Sequence, residues 1–122
     1  AHVFNRMLDA EYPATLSQAV LTDLLRNNLK FEGVIVTDDI QMKAIADHYG
    51  FEESIVKSIQ AGADMLLICN SCGYDDVSVE RAVTAIKAAI TSHIISQERI
   101  KESFDRIMKI KKGILKEPHR CC

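Results

Sequence analysis

No apolar run in this sequence approaches the ~20 residues that a membrane-spanning helix requires, and the N-terminus carries no charged-then-apolar leader. Neither sign of charge dominates. Fifteen Lys and Arg face seventeen Asp and Glu, giving a net charge of -2 and a pI near 6.1, so no basic field suited to nucleic acid is expected. Proline is scarce at two residues, glycine at five, and no Pro-, Gly- or Ser-rich linker, repeat or low-complexity stretch divides the chain. What is present is a 48% hydrophobic, 26% charged mixture, typical of a soluble globular domain and unlike a disordered, collagen-like or mucin-like chain. The 122 residues have room for one domain and one core. The chain starts at Ala1 without Met and reads as a processed or excised piece.

Cysteine carries little information. Cys69 and Cys72 form one CxxC pair, and Cys121 and Cys122 are adjacent at the far end, whereas a structural zinc site takes four ligands, usually as two such pairs. Cys69 closes an apolar run and is expected to be a small buried hydrophobe. His119 beside Cys121 and Cys122 reads as a frayed tail rather than a metal site. An adjacent Cys pair is a poor structural disulfide, which favours a reducing, cytoplasmic compartment over the alternative of a secreted or periplasmic one.

Helical and strand periods alternate along the chain. Thr15 to Gln18 predicts a capping box behind Pro13. Leu16, Ala19, Val20, Leu24 and Leu25 predict an amphipathic helix over residues 16–29. Val34, Ile35 and Val36, bounded by Gly33 and two aspartates, predict a buried strand over 34–37. A helix follows over 51–61, with Ile55, Val56 and Ile59 inward and Gly62 as its left-handed stop. Residues 63–69 predict a second buried strand. Ser78 is expected to cap a helix over 78–92 with Val79, Ala82, Val83, Ile86 and Ile90 inside. Ser96 is expected to cap another over 97–115 through Ile100, Phe104, Ile107 and Leu115, ending in a solvated Lys-rich turn.

Two apolar strands separated by a helix make a βαβ unit with parallel strands. Ligands in such folds meet the carboxyl ends of the strands, which here carry Thr37-Asp38-Asp39 and Cys69-Asn70. Strand alternation places Asp38 with Val34 and Val36, and Asp39 with Ile35 and Thr37 on the opposite face. The two carboxylates therefore cannot share one job unless the strand geometry has ended: either one faces a crevice while the other caps the following turn, or the pair serves only loop solvation and capping of residues 40–48. Three chemistries use an acid at the end of an apolar strand. A Walker B strand needs a GxxxxGK(S/T) loop, which this chain lacks. A phosphoacceptor receiver clusters acids from adjacent strands, but the second strand ends without one. A retaining glycosidase uses one carboxylate as nucleophile.

The stretch Phe31-Glu32-Gly33-Val34-Ile35-Val36-Thr37-Asp38-Asp39-Ile40-Gln41-Met42 resembles the nucleophile segment of glycoside hydrolase family 3. In that family's bacterial β-N-acetylhexosaminidases the segment runs as F-x-G-V-I-x-(S/T)-D-D-(L/I)-x-M. Ala1-His2-Val3 is similar to the end of the sixth barrel strand, and Pro13-Ala14-Thr15-Leu16-Ser17 to the helix start that follows it. Residues 61–70, AGADMLLICN, are similar to the eighth strand.

The resemblance implies an α/β fold, the C-terminal portion of a (β/α)8 barrel comprising about its last three β/α units. It implies retaining hydrolysis of N-acetylglucosaminides, such as cell-wall muropeptides, with Asp38 as nucleophile and no metal or organic cofactor. Asp39 and Met42 are implied as supporting residues, with Met42 packed beneath the site. Asn70 and His2, at strand ends, are candidate substrate contacts, although Asn70 is equally suited to capping a turn. His48 reads as a surface residue. The family's sugar-binding KHxPGHG segment and its Asp-His acid/base dyad have no counterpart in this chain. Alone it is therefore expected to be inactive, and the competing reading is a non-catalytic half-barrel that self-associates or completes a barrel with another part. A length of 122 is about half of the ~250 residues of a closed eight-stranded barrel.

Overall fold

The computed structural model describes residues 3–42, 45, 48–69 and 76–116. A 3-10 turn over Ala14–Leu16 leads into a π-wound helix, Ala19–Asn28. Strand β1 (Val36–Asp39), helix α1 (Phe51–Ala61), strand β2 (Met65–Leu67), helix α2 (Ser78–Thr91) and helix α3 (Gln97–Lys116) follow. The two strands pair in parallel, Val36 opposite Met65 and Asp39 opposite Leu67. This is the βαβ arrangement expected for apolar strands flanking an amphipathic helix.

Helices α1, α2 and α3 begin within a residue of their expected positions, but the first helix does not. The capping box expected at Thr15 is displaced: Thr15 and Leu16 are buried in the 3-10 turn, and Ser17 Oγ instead accepts the Val20 N–H at 3.2 Å. Pro13 favours this tight turn, because its fixed φ of -64° presents its carbonyl to the Leu16 amide at 2.8 Å. Ser78 is likewise not a cap. Val77 occupies that position, with no side-chain capping bond, and Ser78 is buried as the first helical residue. Ser96 does cap α3, accepting the Arg99 N–H at 3.1 Å. Gly62 ends α1 at φ +124°, donating its N–H to Ser58 and Ile59 carbonyls, a conformation that L side chains disfavour.

The strands are shifted and half open. β1 starts two residues later than expected because Ile35 is bound differently: its N–H donates to the Asp64 carboxylate at 2.9 Å, and its carbonyl accepts both the Asp64 and Met65 amides. Strand pairing thus starts against a side chain, and the acid pair falls inside β1. Among the described residues, the core lies on one side of the sheet only. Ile40, Ile55, Ile59, Ala82, Ala89 and Ile95 form it, with Leu66, Ile68, Ile86 and Ile100 packed against it. Ile35, Thr37 and Asp39 point into that layer and are buried.

On the other face Val36 is 49% exposed, Met65 43% and Leu67 42%, so neither strand is buried on both faces. Val79, Val83 and Phe104, expected inside, are also exposed. The helices turn narrower faces inward, centred on Ala82 and Ala89 in α2 and on Ile100 at the start of α3. Among the described residues, no helix is long and apolar enough to cross a membrane.

Candidate active site

The chemistry-bearing residues gather where β1 ends. Asp38 is half-buried on the open face beside Val36, while Asp39 is 4% exposed on the helix-packed face. Strand alternation thus separates the two carboxylates as the sequence predicts. Asp38 Oδ1 accepts the N–H of Asp39 at 2.9 Å, which orients the carboxylate with a backbone donor of the next residue.

Asp39 works inward. Its Oδ1 accepts the Gln41 N–H at 3.1 Å and the Cys69 N–H at 3.0 Å, so one carboxylate oxygen caps the turn after β1 and ties it to the chain leaving β2. Ile40 N–H donates to the Leu67 carbonyl at 3.0 Å, and Thr37 Oγ1 accepts the Leu67 N–H at 3.0 Å. The two strand ends are therefore held together at three points, two of them through buried side chains of β1.

Other expectations come out differently. Met42 is 38% exposed rather than packed beneath the site, because the chain turns outward after Asp39 and is held there by the Met42 N–H to the Asp39 carbonyl at 3.1 Å. Cys69 is an exposed free thiol, not a buried hydrophobe. Its N–H is drawn to Asp39, beyond the last paired residue of β2. His48 is exposed, its ring set at 62° to that of Tyr49 with centroids 6.4 Å apart. The candidate contacts His2 and Asn70 lie outside the described residues. Among the described residues no group of His, Cys, Asp and Glu side chains is arranged to hold a metal ion.

At the opposite end of the strands lies a charged centre that the apolar periods of the sequence do not mark. The Asp64 side chain is wholly buried, with Arg26, Arg99 and Arg106 around it. Its Oδ2 accepts from Arg26 and the Ile35 N–H, and its Oδ1 from Ser103 at 2.7 Å and Arg106 at 3.0 Å. Burial alone would raise its pKa. The Ile35 amide, the Ser103 hydroxyl and the Arg106 and Arg26 guanidiniums outweigh that and hold the carboxyl below its ordinary range.

One carboxylate so joins β1, the start of β2, the π-wound helix and α3. A signal for it existed: Arg99, Ser103 and Arg106 recur at helical spacing, placing three polar side chains on one face of α3. An acid opening an apolar run is the partner that such a face needs.

A short parallel strand pair, backed by helices on one side and carrying a carboxylate at the C-terminal end of a strand on the open side, is the arrangement that a segment of an α/β barrel presents at its site-bearing end. The comparisons identify which. Residues 1–110 match the glycosyl hydrolase family 3 N-terminal domain, and the chain belongs to glycoside hydrolase family 3. It is 32% identical over 101 residues to beta-hexosaminidase A of Pseudoalteromonas piscicida, covering 81% of this chain and 17% of that protein. Over 70 residues, 57% of this chain and 20% of the relative, it is 44% identical to a beta-hexosaminidase of Actinobacillus pleuropneumoniae.

The solved structure of a family 3 beta-N-acetylglucosaminidase from Paenibacillus sp. FPU-7 superposes with a TM-score of 0.86 at 34% identity, covering 100% of this chain and 23% of that one. The beta-N-acetylglucosaminidase of Thermotoga maritima gives 0.79 at 26% identity, over 89% of this chain and 23% of its own. The fold is accordingly part of a TIM-type barrel, and the chain spans about a fifth of the length of these relatives.

Proposed function

We propose that this chain is the last three β/α units of a family 3 catalytic barrel, and that Asp38 is the nucleophile of a retaining β-N-acetylhexosaminidase acting on N-acetylglucosaminides of the cell-wall or muropeptide kind. One observation carries the reading: Asp38 stands at the C-terminal end of β1, on the open face, with its carboxylate anchored by the Asp39 N–H at 2.9 Å. In the first step a carboxylate oxygen of Asp38 bonds to the anomeric carbon as the glycosidic C–O bond breaks. The leaving oxygen takes a proton from an acid elsewhere in the barrel. Water then adds to the anomeric carbon, the acyl-glycosyl bond breaks, and the water's proton returns to the same acid/base. The names of the relatives support the substrate class. Asp39 supports the site by tying down the turn at Gln41 and Cys69, and Met42, exposed beside that turn, borders it.

The test is a fusion of this chain, in frame, behind the upstream barrel portion of the Paenibacillus relative. Hydrolysis of an aryl N-acetyl-β-glucosaminide is expected, with loss on Asp38→Asn and a covalent adduct on Asp38 after a fluorosugar probe. An active fusion that keeps its turnover in Asp38→Asn refutes the assignment. The 122-residue chain by itself is expected to be inactive, since lacking a general acid forfeits about 10²–10⁴-fold in rate.

A second reading, an association module without catalysis, is favoured by the apolar open face of Val36, Met65 and Leu67. Sedimentation velocity decides between them for the isolated chain: a monomer with a cooperative melt argues against association. For compartment we favour the reducing cytoplasm, on the adjacent Cys121 and Cys122 and the exposed thiol of Cys69. Export of the native protein would refute it.

A further inference from the structure

Between the two paired positions of the sheet, β1 advances three residues, Val36 to Asp39, while β2 advances two, Met65 to Leu67. One extra residue is thus accommodated in β1 just before the carboxylate pair. Such a bulge leaves a residue out of register and re-aims the side chains beside it. The amides of β2 and of the segment leaving it meet side-chain oxygens here. Leu67 N–H donates to Thr37 Oγ1 and Cys69 N–H to Asp39 Oδ1, both at 3.0 Å. Thr37 is 6% exposed and Asp39 4%, so both bonds are formed in the layer between sheet and helices. Asp38, between them, projects to the other face.

We infer that Thr37 is a positioning residue: its hydroxyl, with the Asp39 carboxylate, holds the bulge that aims Asp38 across the open face. The functional part of this inference rests on the reading of Asp38 as nucleophile. The structural part does not. A regular strand would need no side-chain acceptor at this place. Here the irregular register brings the Leu67 amide to a short acceptor on the buried face, close to the backbone and two residues before the inward-facing acid. Thr and Ser supply such an acceptor. Val, of the same shape, leaves the Leu67 amide without its side-chain acceptor.

The experiment is amide hydrogen exchange on the 122-residue chain and its variants. In the unmodified chain the Leu67 amide is expected to be protected and Thr37 to hold one side-chain rotamer. In Thr37→Val, exchange at Leu67, Cys69 and Asp39 is expected to quicken about tenfold, as loss of one hydrogen bond implies, while Ile59 and Gly62 at the end of α1 keep their rates. Thr37→Ser is expected to restore protection. In the active fusion, Thr37→Val is expected to lower kcat with KM little changed, and Thr37→Ser to recover it.

An averaged Thr37 rotamer in the unmodified chain overturns the inference, even if no variant folds. So does uniform loosening of all amides in Thr37→Val, or failure of Ser to rescue. Retained turnover in Asp38→Asn would instead refute the nucleophile, leaving the amide pattern as it is, so the two failures can be told apart.

Discussion

Replacing Asp64 with Asn should remove a large share of the stability of this chain. The side chain is wholly buried, and around it stand guanidiniums whose side chains are only 12%, 18% and 27% exposed, those of Arg26, Arg99 and Arg106. An Asn retains the shape and one acceptor but no charge, so the three cations repel one another in a partly desolvated site. Breaking a buried, hydrogen-bonded ion pair from one side costs about 3–5 kcal/mol, against the ~5–15 kcal/mol by which domains of this size are stable. With urea m-values of about 1–3 kcal/mol/M, the midpoint should fall by roughly 2 M in a helix-monitored melt.

The pH dependence carries the same signature. The folded-state pKa of Asp64 lies below the ordinary value of 3.8, so its contribution is fully present above that value and is lost as pH falls through the depressed one. The difference between the unmodified chain and Asp64→Asn should therefore be flat from neutral pH down to about pH 5 and shrink in stronger acid. An Asp64→Asn chain within 1 kcal/mol of the parent at pH 7, or a difference that widens on acidification, would refute the reasoning.

Further outcomes follow from single residues. Ser17→Ala deletes the bond to the Val20 amide and should cost about 1 kcal/mol by thermal melting; no change would mean that the preceding turn holds the helix start alone. Gly62→Ala places a Cβ 2.7 Å from Thr22 Oγ1 at φ +124° and should lower the melting temperature by several degrees, about 1–3 kcal/mol. Relief by the double variant with Thr22→Ser would not be expected, because the serine keeps the obstructing oxygen. Asp38→Asn should leave stability within about 0.5 kcal/mol, because an amide oxygen can still accept the Asp39 N–H; a large loss would make Asp38 a structural residue.

Local signals made most of the elements legible. Helix α1 coincides with its expected bounds because Gly50 and Gly62 flank a clean apolar stripe. The opposed faces of Asp38 and Asp39 follow from the two-residue period of a strand. Positions that depend on what lies across a layer were less legible. Val79, Val83 and Phe104 match helical periodicity but face away from the core, since a period marks an apolar stripe without saying which part of it meets a neighbour. Cys69 and Met42 were misplaced for a related reason, as their surroundings depend on where the chain turns after each strand.

The order of strands and helices, the parallel pairing that such an order demands, and an acid pair at the end of a strand were legible in the residues alone. Those are properties of adjacent residues and their periods. The gathering of Arg26, Arg99, Ser103 and Arg106 on Asp64, and the meeting of Thr37 and Asp39 with amides some thirty residues further along the chain, arise in the packed molecule. Charge complementarity and bulge geometry are pairings between distant segments, and they exist only once the helices have closed over one face of the sheet.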